Sequence, residues 1–159
     1  MSEQRRIRTV GPTEDGYLEA AWQVKEQIRR QEGVLAQGRG FFVTQYRRST
    51  VYLVLTEDTD QVAAFAIVRP DGYLSILAVS PAHRRQGLGS TLIEYAATDY
   101  GQITCHTRVT NGSAIGFYLA LGFVVENRVP SYYRDGTDAY ELVRGGDNSR
   151  LGRLVDLLE

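Results

Sequence analysis

The chain has 159 residues, 43% of them hydrophobic and 23% charged, and a formal net charge of −1. These values are typical of one soluble globular domain and exclude a general electrostatic attraction to nucleic acid or to a membrane. The longest apolar run, residues 62–68, is too short to cross a bilayer, and a single cysteine excludes an internal disulfide and a cysteine-based zinc site. With no signal peptide apparent, we expect a cytoplasmic protein without a metal.

The first half of the chain predicts a strand, a long helix and a meander of strands. The helix is expected over residues 12–33, from Pro12 to a stop at Gly33, with a loop over 33–40. Runs of β-branched and apolar residues separated by short turns predict antiparallel pairing. Strands are expected at residues 6–10, 51–55, 61–68 and 73–80.

The second half predicts two helices, a strand between them and a hairpin, and Asp135-Gly136 is a strong turn signal. The element order predicts an α/β fold, a mixed sheet with helices packed on it. We expect one domain over residues 1–144 and a short amphipathic helix in the tail 145–159, packed on its own domain or on a partner. Helices are expected at 90–100 and 111–122, and strands at 103–109, 123–129 and 138–143.

Two glycines, Gly87 and Gly89, stand where the third meander strand leads into a helix. A P-loop is excluded because no lysine follows, and a dinucleotide fingerprint because Leu92 stands where a third small residue is needed. The remaining pattern, Arg84-x-x-Gly87-x-Gly89, suits an anion held by main-chain N–H groups at a helix start. A tight turn that binds nothing explains the spacing equally well.

His106 lies within the predicted strand 103–109, where Ile103, Cys105 and Val109 alternate to one face. The histidine therefore points to the other face together with Arg108. A polar residue there is either a satisfied sheet residue or part of a site, and the alternation alone does not decide between them.

Two segments, 74–96 and 106–123, resemble the GNAT superfamily of acetyl-CoA-dependent N-acetyltransferases. The first contains the Arg-x-x-Gly-x-Gly loop, and the second the pattern Asn-x-x-Ala-(three residues)-Tyr-(three residues)-Gly-Phe. The resemblance implies a mostly antiparallel central sheet with two splayed strands, flanked by helices, and acetyl-CoA as cofactor. It further implies that Val79 N–H stabilises the thioester oxyanion and that main-chain groups of 77–79 hold the pantetheine arm. The implied cofactor-binding residues are Leu77, Ala78, Val79, Arg84, Arg85, Gln86, Gly87, Leu88, Gly89, Ser90 and Asn111.

The resemblance also implies catalytic roles. Tyr118 matches the family tyrosine that protonates the leaving thiolate, and His106 stands twelve positions earlier, where amino-terminal acetyltransferases carry a base. Residues 131–143 resemble those enzymes further, which implies that Tyr132 and Tyr133 bind the substrate backbone and that Tyr73 lines the amine pocket.

The expected function is therefore acetyl transfer to the α-amino group of a protein or peptide. Residues 33–49 depart from the related enzymes, which usually have a short helical hairpin with a proline there, so no specificity residue is assigned in this stretch. Two alternatives stay open: the same chemistry on a lysine side chain or small amine, and a non-catalytic acyl-CoA-binding module. The presence of both His106 and Tyr118 argues against the second.

Overall fold

The computed structural model of the protein describes residues 5–146. The chain divides into two compact units, the first ending at Thr98 and the second beginning at Asp99. The helix predicted in the tail falls on residues 147–159 and lies outside the described residues. None of the helices among residues 5–146 has the length and apolar character needed to span a bilayer.

The first unit is built on a four-stranded sheet of order β1-β2-β3-β4, in which every neighbouring pair is antiparallel. A short 3-10 turn, Pro81–His83, follows β4. The elements up to the unit boundary are β1 (Arg5–Val10), α1 (Leu18–Glu32), α2 (Arg39–Arg48), β2 (Thr50–Thr56), β3 (Val62–Val68), β4 (Leu74–Val79) and α3 (Leu88–Asp99), whose last residue is the first of the second unit.

Strand β3 is buried along its whole length, because its sheet neighbours flank it and its side chains are covered on both faces. On one face, Phe65 and Ile67 join a core to which α1 contributes Ile28 and α2 contributes Phe42 and Tyr46. A strand that is buried on both faces has apolar residues at every position, which accounts for the long hydrophobic run at residues 62–68.

Lys25, the only lysine in the sequence, is fully buried on α1. Its ammonium group donates to the Gln37 main-chain oxygen and lies 3.1 Å from a Glu26 carboxylate oxygen. It also lies 4.7 Å from the centre of the Trp22 ring. A buried charge needs such partners, and here they tie the segment between α1 and α2 to the helix.

The second unit contains a three-stranded antiparallel sheet of order β5-β7-β6, with helix α4 between β5 and β6 in sequence. A nine-residue segment, 130–138, joins β6 to β7 and carries the turn at Gly136, whose φ is +85°. The elements are β5 (Gln102–Arg108), α4 (Gly112–Ala120), β6 (Val124–Val129) and β7 (Ala139–Gly145).

The structure corrects two predicted features. Helix α1 begins at Leu18 rather than near Pro12, because residues 12–13 form a turn and Thr13 has φ +70°. The loop predicted over 33–40 ends at Gly38, and helix α2 starts at Arg39. The predicted fold class, an α/β arrangement with a mostly antiparallel sheet flanked by helices, is confirmed, and among residues 5–146 the strand pairs are all antiparallel and form two sheets. The predicted meander is confirmed.

Candidate active site

Strand β4 is an edge strand of its sheet among the described residues. Ser80 N–H donates to Ala63 O over 2.8 Å, and in an antiparallel ladder such pairs recur at every second residue. Ala78, opposite Phe65, therefore turns its main-chain groups toward β3, whereas Leu77 and Val79 turn theirs to the open edge. Of the three residues predicted to hold a pantetheine arm, Leu77 and Val79 have the suitable orientation.

The glycine loop lies between β4 and α3. Gly87 has φ +73°, and its carbonyl oxygen accepts the Thr91 N–H and the Thr91 hydroxyl, each over 3.0 Å. The first helical N–H groups, at Leu88, Gly89 and Ser90, have no partner one turn earlier in the helix. Together with the helix dipole, these donors form an arrangement suited to an anion.

A residue with a side chain at position 87 would be strained by the positive φ, although a Cβ there would meet nothing within 4 Å. The first-turn N–H donors without a helical partner suit an anion such as a diphosphate. Arg85 is exposed and has φ +62°, and Gln86 accepts a hydrogen bond from Arg5.

Arg84, predicted as a cofactor ligand, is engaged within the protein. Its guanidinium group donates to both carboxylate oxygens of Glu32, over 2.8 and 2.9 Å, and to Val79 O over 3.0 Å. The hydrogen bonds from Arg84 lower the pKa of Glu32, which supports a charged pair. Sequence reasoning missed Glu32, because 52 positions separate it from Arg84.

His106 lies directly opposite Glu141 in the β5–β7 ladder, with Nε2 at 3.5 Å from a Glu141 carboxylate oxygen. The Tyr132 ring stacks on the imidazole, with ring centres 4.4 Å apart and an interplanar angle of 11°. The histidine side chain is 15% exposed. The structure therefore brings the predicted base and a predicted substrate-binding tyrosine together, and adds a carboxylate that the sequence did not indicate.

Tyr118 packs edge-on against Phe117 and Phe123, each with ring centres 5.1 Å apart. Burial raises the pKa of the Cys105 thiol to about 12, and the Tyr118 hydroxyl group opposes this shift to a smaller extent. Cys105 and His106 are neighbours in β5 and therefore point to opposite faces of the sheet. The interaction of Tyr118 with Cys105 places the tyrosine beside β5, the strand that carries His106.

The segment 130–138 is fixed to β5 by Arg108. Its guanidinium group donates to both Asp135 oxygens, over 3.0 and 2.8 Å, and lies 4.0 Å from the centre of the Tyr133 ring. Tyr132 and Tyr133 meet edge-on, with ring centres 5.0 Å apart. The ion pair thus holds both tyrosines on the strand that carries His106.

Two other predicted site residues have local partners. Tyr73 precedes β4, is half-buried and has the Arg69 guanidinium 4.1 Å from its ring centre. Asn111 caps α4, because its side-chain oxygen accepts the Ala114 N–H over 3.1 Å. The cofactor and substrate contacts predicted for these residues stay predictions.

Comparison with known proteins identifies similar sequences and structures. The family profile described as an acetyltransferase (GNAT) domain matches residues 48–125. The [ribosomal protein bS18]-alanine N-acetyltransferase of Salmonella typhimurium is 35% identical over 124 residues, which cover 73% of this chain and 80% of that protein. The crystal structure of the ribosomal-protein-S18-alanine N-acetyltransferase from Escherichia coli matches with a TM-score of 0.71 and 26% identity. That match covers 91% of this chain and 98% of the other.

Human N-alpha-acetyltransferase 30 is 40% identical over 76 residues, or 45% of this chain. That match spans only 21% of the human protein, and the corresponding match spans 28% of the Xenopus laevis protein. The Salmonella relative, by contrast, is matched over most of both chains. On the strength of that match and of the domain profile, this chain belongs to the GNAT acetyltransferase family.

Proposed function

We propose that this protein is an acetyl-CoA-dependent N-acetyltransferase that acts on the α-amino group of a protein or peptide by direct attack in a ternary complex. Acetyl-CoA supplies an activated acyl group as a thioester. The stacking of Tyr132 on His106 is the observation that supports a protein or peptide amino terminus as substrate, because it puts a predicted backbone-binding tyrosine against the predicted base.

In this proposal the glycine loop holds the diphosphate with the first N–H groups of α3. At the edge of β4, Leu77 offers its main-chain groups and Val79 its N–H, as a sheet edge does toward an added strand, while Val79 O accepts the Arg84 Nε–H. Val79 N–H is the proposed donor to the developing oxyanion, and such a donor contributes most when it is fixed in advance.

His106 is the proposed base, acting directly or through one water molecule. An α-amino group has a reference pKa of about 7.7–8.0, so a useful fraction is neutral near pH 7, whereas a lysine amine titrates near 10.4. A histidine suits the first case, since its own reference pKa is about 6.5. Tyr118 is the proposed acid for the leaving thiolate.

The test is a panel of acceptors with labelled acetyl-CoA. It compares peptides with a free amino terminus, peptides with a blocked amino terminus and an internal lysine, and polyamines. Transfer to the free amino termini is expected. Transfer confined to the blocked lysine peptides or to polyamines would overturn the proposed substrate class while leaving the chemistry intact.

Two variants test the catalytic roles. His106→Ala and Tyr118→Phe are each expected to lower kcat by about 10²- to 10⁴-fold, the usual contribution of a positioned acid or base. The affinity for CoA should persist in both, as measured by calorimetry. Full activity in both variants would rule out the roles assigned to them, and loss of CoA binding would point to a structural effect instead.

A further inference from the structure

The ion pair between Arg84 and Glu32 has an unexpected location. Glu32 is the last residue of α1, and Gly33 ends the helix with φ +71°. A carboxylate at a helix carboxyl terminus is disfavoured by the helix dipole. The same carboxylate lies beside the loop proposed to bind a diphosphate, where another negative charge weakens anion binding. Both effects oppose a glutamate at this position unless it has a separate role.

The contacts of Arg84 indicate that role. The guanidinium group binds the Glu32 carboxylate through two hydrogen bonds, over 2.8 and 2.9 Å. Its Nε–H donates to Val79 O over 3.0 Å. Arg84 thus joins the end of α1 to the last residue of β4, and it does so from within the glycine loop.

These hydrogen bonds use the Nε–H of Arg84 and one N–H of each terminal nitrogen, and the two terminal nitrogens together bind one carboxylate. A planar guanidinium offers five N–H donors in a fixed fork, and the two-point contact with a carboxylate is the same contact it would make with a phosphate. While Glu32 makes this contact, Arg84 cannot offer it to a ligand. The charge of Arg84 is therefore paired with Glu32, and its two-point contact is not available to a phosphate.

We propose that Arg84 is a positioning residue and not a phosphate ligand: held by Glu32, it fixes the glycine loop against the open end of β4. This inference rests on the proposed function, because it concerns the loop that would bind CoA. The diphosphate is then held by main-chain N–H groups of 86–90, and the exposed Arg85 is the nearest uncommitted cation of the loop.

The two roles of Arg84 predict opposite effects of changing Glu32. If Arg84 were a phosphate ligand, removing the competing carboxylate in Glu32→Gln would leave CoA binding unchanged or tighten it. If Arg84 is a positioning residue, Glu32→Gln weakens CoA binding about as much as Arg84→Ala does. The double variant Glu32→Gln/Arg84→Ala then binds CoA no more weakly than either single variant, because both remove the same contact.

The experiment measures the dissociation constant of CoA by calorimetry for the wild type, both single variants and the double variant. Because the pair is partly exposed, a loss of about three- to tenfold is expected for each. In steady-state kinetics the KM for acetyl-CoA should rise by a similar factor while the KM for the acceptor peptide does not change. A general loss of stability would not produce this selectivity.

Arg29→Ala serves as the matched control. Arg29 makes an ion pair with Glu26 on the same helix, over 2.7 Å, and its side chain is 44% exposed, close to the 41% of Arg84. This variant is expected to bind CoA as the wild type does. If Glu32→Gln binds CoA as tightly as the wild type or more tightly, this inference is overturned and the proposed function is not affected. A wild-type protein that does not bind CoA would overturn the proposed function and the inference together.

Discussion

The clearest quantitative test of the fold concerns Phe42, on the helix α2 that the sequence did not predict. The side chain is fully buried, and its ring centre lies 5.2 Å from that of Trp22 and 6.0 Å from those of Tyr46 and Phe65. Phe42 therefore joins α1, α2 and the central strand β3. Replacing it with alanine removes all these contacts together.

The expected cost follows from this packing. Phe-to-Ala changes in a core usually cost about 3–5 kcal/mol. Each aromatic pair adds roughly 0.5–1.5 kcal/mol beyond the buried area, which places this site near the upper end of the range. Such a loss is a large share of a typical stability of about 5–15 kcal/mol.

The assay is equilibrium unfolding in guanidinium chloride, followed by the fluorescence of Trp22, the only tryptophan in the chain. The neighbouring Phe41 is 50% exposed and provides the control. Phe41→Ala should change the free energy of unfolding by no more than about 0.5 kcal/mol. Equal costs for the two variants, or a cost below about 1 kcal/mol for Phe42→Ala, would refute this account of the core.

Three further outcomes are expected from the sheet that carries His106. Because burial raises the pKa of Cys105 to about 12, the thiol should not react with an aromatic disulfide reagent at pH 8 until denaturant is added; rapid reaction of the native protein would contradict this. Arg108→Ala should raise the KM for an acceptor peptide several-fold with little change in kcat, since the tyrosines lose their anchor; an unchanged KM would show that the anchor is dispensable. Hydrogen bonds from Thr137 and Arg108 lower the pKa of Asp135 to about 2. The ionised Asp135 carboxylate therefore stabilises the fold fully above the ordinary carboxyl pKa near 4, and this stabilisation is lost as the pH falls toward 2. An NMR titration of the carboxyl group should show the low pKa, and a midpoint near 4 would contradict the pairing.

The sequence predicted features that depend on near neighbours. The meander of β2, β3 and β4 follows from apolar runs separated by short turns, and the glycine loop from a pattern of six residues. The alternation in β5 correctly separated Cys105, which is buried, from His106, which is half-buried. Each of these signals comes from residues that are close together along the chain.

Features that depend on distant partners could not be predicted in this way. Helix α2 contributes only Phe42 and Tyr46 as buried residues, so its apolar face is too narrow for a periodic pattern to stand out. The pairing of Glu141 with His106 depends on the register between β5 and β7. The pairing of Glu32 with Arg84 joins residues 52 positions apart, and only the folded chain shows that the arginine is occupied.

The burial of Lys25 has a practical consequence for studying a protein proposed to acetylate amines. Since its single lysine side chain is inaccessible, the folded protein presents no lysine amine of its own to acetyl-CoA or to amine-reactive dyes. An acetylated lysine detected in a reaction mixture must therefore belong to the added acceptor. Incubating the enzyme alone with labelled acetyl-CoA gives a background free of lysine self-modification, and the appearance of such a signal on Lys25 would report that the core around Trp22 had opened.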